Sequence, residues 1–381
     1  MDALSLPETL VRSRYVVRYQ QKDITNDLTD SLIRLTYSDH LSGQSDEVEL
    51  ELEDVDGRWR DSWYPGKGDT LSVEIGWQGE PLVPCGRFVI DEIEFGGVPS
   101  VVSIRGLATG IQTAVRTTQH IAYEKTTLDG IARRVAQRLG LTLVGAIQRI
   151  PLERVTQSES DVAFLTKLAS DYDYAFKIVG NQLVFHSIAE LARARPVGTV
   201  SQADLGPGWR IRDQLKDVPA AVQVKSKNPG TGELVTYEMK NGEAVPAAKS
   251  SVKKATTSAD TVKKTGGAAT SAEAMAKAQA DLARKNREQT QGSLPMQGRP
   301  RLVSGSVLAL EGTGKLDGRY LVTASSHSLD RSGGYRTDVS VCRVRNEATV
   351  ARTGAASGKP KPKRSKLAVY GMKNGQAVRE N

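Results

Sequence analysis

Between residues 14 and 107 apolar and polar positions alternate in short runs. YVVRYQ, SLIRLTYS, EVELELED, TLSVEIGW, GRFVIDEIEF and SVVSIRGLA are separated by Asp, Gly and Pro, which predicts strands joined by turns. The alternation is clearest at 47–53, where Val48, Leu50 and Leu52 face one way and Glu47, Glu49, Glu51 and Glu53 the other. Such an acidic face must meet water, because desolvating four carboxylates is prohibitively costly. Several short strands at this spacing predict a closed or nearly closed barrel.

From Thr126 the period changes. TTLDGIARRVAQRLGL places Leu128, Ile131, Val135 and Leu139 on one helical face, with Gly140 at its C-terminal end. In QSESDVAFLTKLASDYDYAFKIVGNQLVFH (157–186), Ser158 and Asp161 fit the capping pattern [ST]-x-x-[DE], and Leu165, Leu168, Ala169 and Tyr172 share a buried face. Tyr174–Val179 and Gln182–His186 then read as strands joined by Gly180-Asn181, a pair suited to a primed turn. After Pro196 strands return in GWRIRD, AAVQVKSKN and ELVTYEMK. A polar stretch follows at 246–270, then a helix capped by Thr270 and Glu273 and running to about Gln289. RLVSGSVLAL, RYLVTASSHSL and YRTDVSVCRVR are strands again, and from about 348 the chain reads as an extended tail containing KPKPKR.

The pattern predicts a mainly β fold with an α+β insertion. It divides into a first β-barrel at 1–107, an α/β domain at 108–195, a second barrel at 196–347 with a polar and helical insertion at about 246–290, and a basic flexible tail at 348–381. YEMKNGEAV (237–245) and YGMKNGQAV (370–378) agree at seven of nine positions. That is too short for a domain repeat and reads as a reused strand-turn piece; the sharper alternative is that the tail imitates the earlier element.

Composition narrows the function. The 381 residues are 39% hydrophobic and 25% charged, as in a soluble globular protein. No apolar run is long enough to cross a bilayer, and MDALSLPETLVRSRY lacks the basic flank and apolar core of a secretory signal. Cys85 and Cys342 lie far apart in strand-like runs, as expected of free thiols in a reducing compartment. The net charge of +8 is unevenly spread: 46–56 is acidic, while basic residues collect at 249–264, 284–301 and 359–366. No recognition helix or aromatic-interleaved basic strand accompanies them, which argues against a dedicated nucleic-acid-binding domain.

Catalytic and metal-binding patterns are missing. His40, His120, His186 and His327 show no HxxxH or HExxH spacing, and the cysteines form no CxxC clamp. EGTGKLDG (311–318) lacks the first glycine of a phosphate loop and has Leu316 where Ser or Thr would hold magnesium, so it reads as a turn. DVDG (54–57) lacks the further ligands of a calcium loop, and no G-x-S-x-G elbow occurs. The expectation is no enzyme and no cofactor, with a glycan hydrolase built on paired carboxylates as the alternative.

Three stretches carry a family resemblance: QSESDVAFLTKLASDYDYAFKIVGNQLVFH, the segment GRPRLVSGSVLALEGTGKLDGRYLVTASSHSLDRSGGYRTDVSVCRVR, and WYPGKGDTLSVEIGW followed by CGRFVIDEIEF. Together, and in order from about residue 10 to 346, they resemble the phage late control protein D family. This is the baseplate hub of contractile tails, similar to the N-terminal hub part of VgrG. The resemblance implies two related tube-forming barrels per chain and a homotrimeric ring with pseudo-sixfold symmetry. That ring joins the sixfold tail tube protein to the threefold central spike protein and leaves a channel for DNA passage. It further implies a virion location in the tail baseplate, assembly in the host cytoplasm, and contacts with tape-measure and other baseplate proteins. The segment after the second barrel is short, so the resemblance is to a hub with a separately encoded spike.

Two site expectations follow. Glu47, Glu49, Glu51 and Glu53 either line the lumen, where negative charge keeps passing DNA from sticking, or form an ordinary solvated outer face. Lys359, Lys361, Lys363 and Arg364 in the tail would hold an acidic partner. The rival functions are a hub-associated peptidoglycan hydrolase and the hub of a tailocin or type VI-like injection particle.

Overall fold

The computed structural model describes residues 12–108, 117–214, 221–227, 234–240, 243–246, 261–265, 271–344, 370–373 and 376–379. The alternating runs at the start become β1 (Ser13–Tyr19), β2 (Lys22–Asp23), a helical turn α1 (Thr25–Leu28), β3 (Leu32–His40), β4 (Glu47–Glu53), β5 (Thr70–Trp77), β6 (Val83–Gly96) and β7 (Val101–Leu107). The middle region holds β8 (Ile121–Thr127), α2 (Leu128–Arg138), β9 (Thr142–Val144), β10 (Pro151–Gln157), α3 (Asp161–Tyr172), β11 (Tyr174–Val179), β12 (Gln182–Ser187) and α4 (Ile188–Arg193). Then come β13 (Gly198–Ser201), β14 (Arg210–Asp213), β15 (Ala221–Lys227), β16 (Leu234–Lys240), β17 (Glu243–Pro246), β18 (Thr261–Thr265) and α5 (Ser271–Glu288). They are followed by β19 (Thr290–Gln297), β20 (Val307–Glu311), β21 (Gly318–Asp330) and β22 (Gly334–Arg343). Residues 345–381 form a separate compact unit, described only in the antiparallel hairpin of β23 (Tyr370–Lys373) and β24 (Gln376–Arg379).

The two sets of strands share one sheet. Its order is β14-β19-β22-β21-β3-β4-β7-β6-β5-β1-β2, with β20 and β13 branching from β21 to make thirteen strands. The seam is β3 against β21, an antiparallel ladder from Arg34↔Asp330 to His40↔Ala324. The sequence predicts two barrels, and the strands do enclose two apolar cores, one around Leu50 and Phe88 and one around Leu294 and Tyr320. What alternation cannot show is that the edge groups of β3 and β21 find their partners in each other.

The halves are duplicates in topology. The first runs β3-β4-β7-β6-β5-β1 and the second β14-β19-β22-β21-β20-β13, each list neighbour by neighbour. The longest strands, β6 with 14 residues and β21 with 13, occupy equivalent places. Each carries an irregularity at the same point, Ile90/Glu92 against β7 and Val322/Ala324 against β22. Leu50 opposite Ile104 corresponds to Leu294 opposite Val339. The halves differ at one end, since β1 is antiparallel to β5 while β13 is parallel to β20.

In the middle region both predicted helices form. Thr127 caps α2 by accepting from the Gly130 amide, and Leu128, Ile131 and Val135 are buried. The cap of α3 differs from the expected Ser158: Ser160 accepts from the Ala163 amide instead. Ser160 is still held in a β-bridge to Thr118, so the chain cannot turn helical earlier. Leu165, Leu168, Ala169 and Tyr172 are buried as their spacing predicts, and α3 stops at Asp173 in the left-handed region. The hairpin β11–β12 pairs Val179 with Gln182 around Gly180, whose φ of +56° suits a primed turn.

Candidate functional site

The first half, the middle region and the second half meet at one ammonium group. Lys177 interrupts the apolar strand YAFKIV, and its Nζ donates to Asp39 Oδ1 at 2.7 Å, Asp46 Oδ2 at 3.0 Å and Ser304 Oγ at 3.4 Å. Asp39 lies on β3, Asp46 just before β4, and Ser304 just before β20. Both carboxylates are nearly inaccessible, at 2% and 4% exposure. Asp39 also accepts from the Ser304 amide and hydroxyl, each at 2.7 Å, and Asp46 from the His40 amide at 3.1 Å. Nearby, Ser42 Oγ accepts from the Phe176 amide at 3.1 Å.

The ionisation pattern follows. Burial works against a charged Asp39, but Lys177 and Ser304 outweigh it and hold that carboxyl below its ordinary range. Burial and the neighbouring Asp39 charge push Asp46 upward. Burial lowers Lys177, and the two carboxylates more than offset this. The arrangement can position three regions; it presents no activated nucleophile.

A second polar group sits in the seam. His327 on β21 is fully buried, its Nδ1 lying 3.0 Å from the Tyr335 hydroxyl and 3.1 Å from that of Thr337. Its ring stacks on Tyr37 of β3 with centroids 5.9 Å apart. Burial pushes its pKa down to about 4, so the ring is neutral at pH 7. Among the described residues no group of three His, Cys, Asp or Glu is placed to hold a metal ion.

The helix α5 is tied to the middle region. Both Arg287 Nη atoms engage the Asp173 carboxylate at the end of α3, Tyr172 donates to Glu273 at 3.3 Å, and Arg284 donates to Ser170 Oγ at 3.2 Å. Within that region Arg138 grips buried Asp161 with two nitrogens, and Gln157 donates to the same carboxylate at 2.7 Å. Asp161 therefore serves as an ionic anchor.

The predicted acidic face does point outward, but its carboxylates are tethered. Glu49 is exposed, while Glu47, Glu51 and Glu53 are half-buried. Arg105 pairs with Glu47 at 2.6 Å, Ser103 donates to Glu49 at 2.8 Å, and Arg331 pairs with Glu53 at 3.0 Å. Glu51 lies opposite Arg34, which bridges the seam to Asp330 at 3.1 Å. A cleft of about 550 Å³ is lined by Arg34, Thr36, Glu49, Glu51, Glu94 and Ser103, among others. By register the same face continues past the seam through Ser328 and Arg336. Lys359, Lys361, Lys363 and Arg364 lie outside the described residues, as does most of 246–270.

Sequence reasoning missed Lys177, Asp39, Asp46 and Ser304. The available signal was one lysine at a strand position whose neighbours are all apolar.

The molecule is thus a duplicated β fold with a buried ionic joint. Residues 111–333, more than half the chain, match the family described as phage tail baseplate hub (GPD). The chain belongs to that family. Among relatives of the hub, the "Probable baseplate hub protein" of Escherichia phage 186 is 30% identical over 180 residues, 46% of either chain. The protein of the same description in Escherichia phage P2 is 29% identical over 212 residues, 54% of either chain. The match thus spans about half the length of these relatives. The fold is shared with a tail protein of Neisseria meningitidis (TM-score 0.61, 13% identity, covering 87% of this chain and 96% of that one). It is shared too with a 43 kDa prophage MuSo2 tail protein from Shewanella oneidensis (0.57, 16%, 87% and 97%). An E. coli component of the type VI secretion system also has it (0.51, 11%, 83% and 74%).

Two predictions follow from the joint and the seam. Lys177→Met leaves two buried carboxylates without their cation and should cost about 3–5 kcal/mol in equilibrium denaturation. Adding Asp39→Asn and Asp46→Asn should recover most of that loss. His327 is depressed from 6.5 to about 4, so its contribution is complete above pH 6.5 and is lost as pH falls towards 4. The loss should total about 3 kcal/mol. Urea unfolding between pH 7 and 4 should show the wild-type protein losing that much more than His327→Gln.

Proposed function

We propose that this hub-family chain works as a homotrimer at the centre of a tail baseplate in the virion, after assembly in the host cytoplasm. It joins a sixfold tail tube protein on one side to a threefold central spike protein on the other, around a channel through which DNA passes. The observation that carries this reading is the internal duplication. One chain presents two strand sets of the same connectivity in one sheet, so three chains present six matched sets. A threefold object with six near-equivalent positions is what a joint between sixfold and threefold partners requires. The function is mechanical and rests on matched surfaces, which agrees with a structure whose central buried ionic cluster, Lys177 with Asp39 and Asp46, joins separate regions.

The acidic strand belongs to the same proposal. The outward face of β4 is continuous with the polar face of both halves, and we assign it to the lumen. Arg105 and Arg331 partly neutralise it, which limits self-repulsion while leaving Glu49 and Glu51 without an ion pair on the described arginines. The basic tail, with Lys359, Lys361, Lys363 and Arg364, lies outside the described structure; its charge suits an acidic partner, such as the spike or the tape-measure protein.

Native mass spectrometry should give three chain masses, and adding candidate tube and spike proteins should give complexes with each. A monomer that ignores both would end the reading. Changing Glu47, Glu49, Glu51 and Glu53 together to Gln should raise the salt needed to elute the protein from a duplex-DNA column, because four negative charges go and Arg105 and Arg331 lose their partners on β4. Unchanged elution would place the strand away from any DNA-facing surface.

A further inference from the structure

The chain's own seam serves as a template for a second seam that one chain cannot make. In the second half, β21 uses both edges along its C-terminal part, with β22 on one side and β3 on the other. Its counterpart β6 does not. There β5 pairs only with Val83–Val89, and Ile90 bonds to Gly68 and Asp69. Beyond that, among the described residues, Glu92–Gly96 has β7 on one edge and no strand on the other. The counterpart of β3 is β14, which among the described residues pairs with β19 alone and ends the sheet. The first half lacks a β3-like partner where the second lacks a β21-like one. Within the chain six strands separate these edges, and they do not meet.

We infer that β14 of one copy pairs antiparallel with the C-terminal part of β6 of a neighbouring copy, repeating the β3–β21 seam between chains. The ladders fix the register. Aligned on the shared irregularity, Ser325, Ser326, His327 and Ser328 correspond to Ile93, Glu94, Phe95 and Gly96. Through β4 and β19, Thr36, Tyr37, Ser38 and Asp39 correspond to Arg210, Ile211, Arg212 and Asp213. Transferring the seam pairs gives Arg210 opposite Gly96, Ile211 opposite Phe95, Arg212 opposite Glu94 and Asp213 opposite Ile93.

The chemistry of those positions fits. Ile211 and Phe95 are each half-buried against their own core, and they fall where Tyr37 and His327 stack in the existing seam. Arg212 and Glu94 are exposed, of opposite sign, and directly opposed. β14 also carries Arg210, with Asp213 at its end, while this part of β6 is acidic through Asp91, Glu92 and Glu94. Opposed unlike charges favour this pairing, and like charges would reject a copy meeting its own kind of edge. Each copy would contribute one internal and one external seam, so the proposed trimer would hold six seams in a closed ring.

This inference rests on the trimer proposed above, and the test separates the two. Glu94→Arg and Arg212→Glu should each raise the concentration at which the trimer half-dissociates by about tenfold or more. The double charge swap should restore it. Glu94→Cys with Arg212→Cys should, on oxidation, give copy-to-copy bands of up to three chains on a non-reducing gel, while either cysteine alone should not. A trimer indifferent to both charge reversals and lacking the cross-link would overturn this pairing and leave the trimer standing. A wild-type chain that is monomeric throughout would overturn both.

Discussion

The buried ammonium of Lys177 holds the molecule's parts in register. Taking three charged groups out of water is favourable only if every one of them is met, and here Asp39, Asp46 and Ser304 converge from separate segments to meet it. None of the three contributing regions can shift without stranding a charge. The cluster also sits on the seam, because Asp39 is a residue of β3 paired with Ser325 of β21. A slip of one residue would turn Asp39 to the opposite face of the sheet, away from Lys177. Side-chain chemistry therefore specifies a backbone ladder that hydrogen bonds alone would leave free to slide.

How much of this was legible in the sequence depends on the range of the interaction. Faces were readable: the alternation at 47–53 and the helical spacing of Leu165, Leu168, Ala169 and Tyr172 both gave the observed burial. Period two and period 3.6 are local consequences of backbone geometry. The cap of α3 lies two residues beyond the one the capping pattern predicts because a contact with Thr118, distant in sequence, decides where the helix can begin. The seam joins residues some three hundred positions apart, and alternation says which side of a strand is apolar, not which strand lies at its edge. Lys177 was invisible for a related reason, since its meaning depends on two carboxylates more than a hundred residues earlier.

The acidic strand shows the limit of charge patterning in another way. Four glutamates on one face predict exposure, and the face does point outward. Yet Arg105 and Arg331 sit within ion-pair distance of Glu47 and Glu53, so the local field is weaker than the sequence of the strand implies. Exposed pairs of this kind add little to stability, typically below about 1 kcal/mol each. Their value lies in setting the sign and texture of a surface, and a face meant to be passed over is better served by moderate charge than by a bare carboxylate row.

The two kinds of edge in the sheet are built for different times in the protein's life. At β3–β21 the paired positions include buried Asp39 and His327, whose carboxylate and ring Nδ1 must find partners as the chain folds. An error there would leave them unsatisfied inside the protein, so the register is enforced during folding. At β14 and the end of β6 the polar side chains are exposed arginines and glutamates, which water satisfies while the chain is alone. Exposed charge on a free strand also discourages indiscriminate pairing. An internal joint can be locked by buried polarity because its partner is always present. An edge that waits must stay soluble until its partner arrives, and surface charge supplies that without forbidding the later ladder.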